Sequence, residues 1–358
     1  MANVLAFTDF SCLKQIWYDI IPPNSCRTGG ESVSTIKNSG ITEQSRISKS
    51  TLSKTLRHCG GVDTETRHRI LTENPVREYT PGQYAVYCIL PDVPNFFWKE
   101  ALRGMMDHQL GKEVPVKYNV YTKLGDTETV LLYLEEAKRL DVRVLIIAAI
   151  LEPSVRRILE EMVQDKLVLF LSEQEDLVNS FYVGSDAYRD GYTLGLRYAE
   201  EMPERQLMIL SAEGGRNIQL RLQGFQDAVK SVDEQLLHRG KMLQVAHDEL
   251  IFKRSAAANL AAVLAENMDG SLNYCLYIPW SIPQPQVAMG KLRLGEERIV
   301  CLCHDSDSPL REQGTQTVIS CSQDIYTQGK VAIQTANRFI QTGFYPEQKR
   351  ILIPSTVK

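Results

Sequence analysis

From residue 84 onward the chain repeats one pattern: a short continuous apolar run, then a longer stretch with apolar residues at helical spacing. Apolar runs over 84–90, 142–150 and 167–171, with a further strand over 116–121, alternate with helical patterns over 95–110, 127–140 and 152–164. A run with no polar alternation describes a strand covered on both faces, which belongs in a parallel sheet between helix layers. The cycle restarts after Asp186. A helical pattern reaches 202, followed by strand 206–210, helix 220–232, strand 241–246, helix 252–268, strands 274–278 and 298–303, and helix 328–342. Two successive sets predict an α/β body of two doubly wound lobes. Ligands in such folds lie beyond the carboxyl ends of the strands, so two lobes imply a cleft between them.

The chain has 358 residues, against a typical domain of roughly 150, so this body leaves room for a further module. The reading divides it into an N-terminal extension (1–33, no role assigned), a helical head (34–74), a linker (75–83) and the two-lobed body (84–358). The linker assignment rests on Pro75, Pro81 and Gly82. The formal net charge of −4 disfavours nucleic-acid binding by the chain as a whole. Charge is uneven, however: residues 34–71 hold seven Lys/Arg against three acids. A small basic module on an acidic body is the asymmetry expected when one end meets a polyanion.

Several classes are disfavoured. No run approaches the roughly 18 apolar residues of a membrane helix. Residues 1–21 carry Asp9, Lys14 and Asp19 and lack the basic-then-apolar build of a secretion signal, so a cytoplasmic location is expected. The eight cysteines are scattered, several inside apolar runs such as Tyr87-Cys88-Ile89-Leu90. They read as buried small hydrophobes rather than a disulfide framework. Cys301 and Cys303 share a strand face, but no second pair completes a metal set, so neither a metal nor a cofactor is expected. There is no Gly-x-Ser-x-Gly elbow and no phosphate-cradling Gly-x4-Gly-Lys-Ser/Thr, so the chain is not expected to be an enzyme.

Within the head, Ile47-Ser48-Lys49-Ser50-Thr51-Leu52-Ser53-Lys54-Thr55-Leu56 places an N-cap serine before an apolar helical face and leaves Lys49, Ser50, Lys54 and Arg57 exposed. Asp63 then caps a second short helix, 64–71. This stretch, with Val62-Asp63-Thr64-Glu65-Thr66-Arg67, resembles the helix-turn-helix head of the lactose-repressor (LacI/GalR) family. The resemblance implies that Lys49 and Ser50 read bases, with Lys54 one turn later. Arg57 stands where the family usually has Asn, which implies a phosphate contact. Thr35-Ile36-Lys37 matches the start of the family's first helix, followed here by a short insertion that includes Gly40. The family's hinge helix, which wedges into the minor groove, has no match in 72–83.

The body resembles the same family's core, shared with periplasmic sugar-binding proteins. Asn95-Phe96-Phe97-Trp98, with Gly104 beyond it, resembles the opening Asn-Pro-Phe-Phe, which implies that Phe97 and Trp98 stack on a sugar. Gly184-Ser185-Asp186 through Gly191-Tyr192 resembles the start of the lobe-crossing helix, with Asp186 as its cap. Arg221-Leu222-Gln223-Gly224-Phe225 matches Arg-x-x-Gly-Phe, which implies that Arg221 holds ligand oxygens with its planar fork. Asn217, one turn earlier, shares that face. Cys303-His304-Asp305 occupies the place of Gly-Phe-Asp, which implies a ligand contact for Asp305. Gln323-Asp324-Ile325-Tyr326-Thr327-Gln328-Gly329 resembles Gln-Asp-Pro-Tyr-x-Gln-Gly, which implies an amide contact from Gln323. In place of the usual Asn-Asp the chain has Pro279-Trp280-Ser281, so Trp280 is read as covering the pocket from the second lobe.

The resemblance implies a homodimeric, sugar-responsive transcription regulator, most simply a repressor of carbohydrate-utilisation genes, whose partners are operator DNA and a small sugar effector. The alternative is a cytoplasmic sugar-binding module that has lost DNA recognition. On this reading Arg221→Ala removes the response to effector and spares the fold.

Overall fold

The computed structural model describes residues 84–358 apart from 93–94, 111–113, 123–124, 141, 213, 246–255, 282–297 and 307–316. The N-terminal extension, the head with Lys49, Ser50, Lys54 and Arg57, and the whole linker lie outside the described residues.

In chain order the first lobe opens with β1 (Val86–Pro91), α1 (Asn95–Met106), β2 (Val116–Tyr121), α2 (Thr127–Arg139), β3 (Val144–Ile147), α3 (Pro153–Met162), β4 (Leu167–Leu171) and β5 (Phe181–Gly184). The second comprises α4 (Ala187–Glu201), β6 (Gln206–Ser211), α5 (Arg216–Asp233), the short α6 (Gln235–Arg239), β7 (Lys241–Gln244), α7 (Ala256–Asn267), β8 (Tyr274–Ser281), β9 (Ile299–His304) and β10 (Thr317–Ser322). The chain then returns. Helix α8 (Ile325–Thr342) and strand β11 (Arg350–Leu352) join the first lobe, and β12 (Thr356–Val357) joins the second. The first sheet has the order β11-β5-β4-β3-β1-β2 and the second β12-β10-β9-β8-β6-β7. All pairings are parallel except β10 with β12.

The doubly wound α/β body expected from the sequence is thus present, but its lobes are not two successive stretches of chain. The chain crosses between them three times, at 185–186, 323–324 and 353–355. The reason lies in what the first sheet must bury. Along β1, Val86, Cys88 and Leu90 face one core while Tyr87 and Ile89 face another, and both are closed to solvent. Helices α2 and α3 cover the second face; on the first, α1 is joined by α8, which adds Ile325, Ala332, Ile333, Ala336 and Phe339. Four strands have no counterpart in the apolar pattern. Strand β5 has four residues, β10 carries Thr317, Ser320 and Ser322, and β11 and β12 are short edges with exposed positions.

Two helix pairs pack at backbone contact. In the second lobe a Cβ on Gly224 would lie 2.0 Å from the Tyr188 carbonyl oxygen, and one on Gly191 would lie 2.0 Å from that of Arg221. In the first, Gly104 and Gly329 hold α1 and α8 together in the same way. These glycines are fixed by the space between helices, which explains their place in the motifs quoted above.

Edge strand β2 points a charge inward. Lys117 is buried and its Nζ lies 2.7 Å from Glu136 Oε1 on α2, while Tyr87 donates its hydroxyl to the same carboxylate. An inward charge on an edge strand discourages pairing with other chains. Removing one member of a buried pair strands the other. Lys117→Ala is therefore expected to cost about 3 kcal/mol, read by chemical denaturation, and Lys117→Met with Glu136→Leu to recover most of it. Among the described residues no helix is long and apolar enough to cross a membrane.

Candidate functional site

The three crossings lie side by side and are stitched together. Ile353 N donates to the Gly184 carbonyl at 2.8 Å. Ser185 Oγ donates to Gln323 Oε1 at 3.0 Å, and Ser355 Oγ to Asp190 Oδ2 at 3.1 Å. The carboxyl ends of both sheets meet here, where the fold class places its ligands.

Arg221 projects from α5 into this region and is 4 % exposed. Its position follows from the residues around it. Gly224 lets α5 press against α4, and Phe225 stacks on Tyr277 with ring centroids 3.9 Å apart and planes 9° from parallel. The Tyr277 hydroxyl then donates to the Arg221 carbonyl at 3.1 Å. That hydroxyl has one proton, so the His304 Nε2 3.2 Å away is the donor to it, and Nδ1 is left as a buried acceptor with no partner among the described residues. Burial, reinforced by Arg221, holds His304 well below its ordinary pKa, so the ring is neutral.

The Arg221 guanidinium is incompletely used. NH2 lies 3.7 Å from Asp305 Oδ2 and NH1 donates to the Pro279 carbonyl at 3.4 Å, while Nε has no hydrogen-bond partner among the described residues. Burial works against its charge, and Asp305, Asp190 and Glu173 more than offset that. Asp305 itself is well occupied. Gln323 donates its backbone N–H to Oδ1 at 2.8 Å and its amide to Oδ2 at 2.7 Å, with Ser281 Oγ at 3.3 Å. Asp305 follows β9 in the left-handed region at φ +46, and Ser172 follows β4 at φ +61. Strain of this kind at non-glycine residues clusters at functional sites.

The lobes also meet directly. Asn217 donates Nδ2 to the Ser172 carbonyl at 2.5 Å and accepts from Gln174 N at 3.1 Å. At the rim Arg216 lies 2.6 Å from Asp176, an exposed pair worth little in water. Helix α5 begins at Arg216, a turn before its apolar pattern, because that polar first turn makes these interlobe contacts.

Three further acids complete the picture. Half-buried Glu173 has its carboxyl pushed up to about 7, chiefly by burial and against the pull of Arg221. A carboxyl raised in the fold is favoured protonated, so its stabilising contribution is lost as pH rises from about 4.5 through about 7. Asp190 on α4 is raised by burial, opposed by Arg221. Glu175 is raised in the same direction by burial and accepts from Leu151 N at 3.3 Å. Among the described residues no group of three His, Cys, Asp or Glu is placed to hold a metal.

Of the residues singled out in the sequence, Asn217, Arg221, Asp305 and Gln323 come together here. Phe97 and Trp98 sit in the first turns of α1, buried in the first lobe's core and edge to face at 5.0 Å. Trp280 lies in β8, which runs three residues further than its apolar pattern, and is buried on the face of the second sheet opposite Tyr277. Asp186 caps α4, accepting from Arg189 N at 3.1 Å. Glu173, Asp190, Ser172, Ser185 and Tyr277 were not anticipated. The residues immediately following each apolar strand would have supplied Ser172 and Glu173.

No protein-family model matches the sequence, and no curated protein sequence matches it. Solved structures do. A glucose-galactose binding protein, GanP, from Geobacillus stearothermophilus superposes with a TM-score of 0.60 at 19 % identity, over 77 % of this chain and 97 % of that one. A sugar transporter from Clostridium phytofermentans gives 0.62 at 14 % identity, over 77 % and 99 %. A LacI family transcriptional regulator from Enterococcus faecium, solved with ribose bound, gives 0.58 at 17 % identity, over 76 % and 96 %. The likeness establishes the fold. The body has the two-lobed α/β architecture of the periplasmic-binding-protein type, with parallel sheets.

Proposed function

We propose that the chain is a ligand-responsive DNA-binding regulator, with a head over 34–74 that recognises operator DNA as a homodimer and a body that closes on a sugar-like effector. The observation that carries the effector half is Arg221: a buried guanidinium whose Nε has no hydrogen-bond partner among the described residues, at the meeting of both sheets' carboxyl ends. A donor buried without a partner is costly, and a ligand oxygen removes that cost. Similar folds solved with ribose and with D-arabinose bound support a sugar-like effector. The basic segment 34–71 and its resemblance to a helix-turn-helix head support the DNA half, and a DNA-binding role places the protein in the cytoplasm. No cofactor, metal, membrane or catalytic step enters this reading. A sugar changes DNA affinity through the difference in its affinity for the open and closed body.

A second reading is a sugar-binding module without DNA recognition, favoured by the absent hinge-helix signature in 72–83. A thermal-shift panel of sugars on the full chain, followed by selection from random DNA, separates the two. A sugar that raises the melting temperature and an enriched near-palindromic DNA support the regulator. A sugar shift without enriched DNA supports the module, and no shift with any sugar contradicts both.

A further inference from the structure

Among the described residues three acids act on the one buried arginine of the interlobe site, and they are unequally engaged. Arg221 is the cation acting on Asp305, Asp190 and Glu173. Asp305 accepts from Gln323 twice and from Ser281, and Asp190 accepts from Ser355. The Glu173 carboxylate has no hydrogen-bond partner among the described residues. It follows the strained Ser172 on the first lobe, and its Oε2 lies 3.2 Å from where a Cβ on Gly215, the N-cap of α5 on the second, would stand. Absence of a side chain at Gly215 leaves that carboxylate its place against α5. An acceptor on one lobe and a buried donor on the other, Arg221 Nε, thus both lack a hydrogen-bond partner among the described residues and lie within electrostatic reach of each other.

A ligand that satisfies both needs two different groups. Arg221 requires an acceptor oxygen, which any hydroxyl supplies. Glu173 requires a donor, and a cationic one also offsets the three carboxylates that act on Arg221 among the described residues. A neutral hydroxyl meets the first need and leaves the charge uncompensated. The geometry points to a polyhydroxylated ligand carrying a protonated amine, an amino sugar in the simplest case, with its ammonium held by Glu173 and a ring oxygen or hydroxyl held by Arg221. This rests on the interlobe cleft being the effector site. Glu173 is then the residue that distinguishes amine-bearing from neutral ligands, since it is the carboxylate left without a protein donor.

The test is calorimetric titration of the full-length protein near neutral pH with D-glucosamine, D-galactosamine and D-mannosamine, with their neutral parent hexoses, and with the N-acetylated forms. The expected result is that at least one amino sugar binds about tenfold or more tightly than both its parent and its N-acetyl form, as for a charge-assisted contact. Glu173→Gln should abolish that preference while the melting temperature of the free protein stays level or rises, because a carboxylate leaves a crowded site. A neutral hexose that binds as tightly as its amine, or an amine preference that survives Glu173→Gln, overturns the assignment and leaves the cleft reading standing. No heat from any of the nine probes overturns the amino-sugar assignment, and the cleft reading then stands or falls on the wider sugar panel.

Discussion

Arg221→Ala is expected to abolish effector binding and to destabilise the body by about 3 kcal/mol or more, a fall in melting temperature of roughly 6 °C or more for a domain of this size. The sequence led to the expectation that the fold would be spared, as it would be by loss of an arginine that serves only the ligand. Burial reverses it. Arg221 is the cation facing Asp305, Asp190 and Glu173, and its loss leaves Asp305 and Asp190 buried among uncompensated charges. Denaturation and titration of the same variant report the two effects separately. Adding Asp305→Asn to Arg221→Met should restore part of the stability without restoring binding. A variant as stable as the parent that still binds the effector would show that Arg221 is peripheral.

Gly224→Ala should have an effect of comparable size by a different route. The added methyl would sit 2.0 Å from the Tyr188 carbonyl oxygen and 2.9 Å from Tyr192 N, so backbone must move. Overpacking of this kind costs up to about 3 kcal/mol, and backbone on both sides puts this site at the upper end. The functional consequence is larger than the stability loss suggests. Helix α5 carries Asn217 and Arg221 while α4 carries Asp190, so separating the two helices moves the arginine relative to its acids. Chemical denaturation should show the destabilisation, and effector affinity should fall in protein that remains folded. Unchanged stability would mean that the two helices are further apart than described.

Much of the body was legible in the order of its residues. The strand over 167–171 appears with the bounds its apolar run predicts, because a strand buried on both faces leaves an uninterrupted signature; the strand over 116–121 also keeps its predicted bounds, as an edge strand whose burial alternates along the chain. Arg221 was legible too, since Gly224 and Phe225 at fixed spacing are what α5 needs to lie against α4 and Tyr277. What escaped the sequence depends on distance along the chain. Ser185 meets Gln323 across 138 residues and Ser355 meets Asp190 across 165, and no local periodicity encodes such pairs. The discontinuous lobes escaped for the same reason: α8 reads as one more amphipathic helix, and only the uncovered face of the first sheet calls it back. Glu173 was missed because it sits in a polar loop, where an acid reads as solvated until the second lobe closes over it. Phe97, Trp98 and Trp280 are buried in the cores of the two lobes, and an aromatic suited to stack on a ligand is equally suited to such packing.

The measurement that bears most directly on the account is the affinity of the full-length protein for its selected DNA, by fluorescence anisotropy, with and without the sugar that raises its melting temperature. Coupling between an effector cleft and a DNA head predicts a change of at least about fivefold, which is lost in Arg221→Met with Asp305→Asn. A DNA affinity that is the same with and without a sugar that demonstrably binds would contradict it.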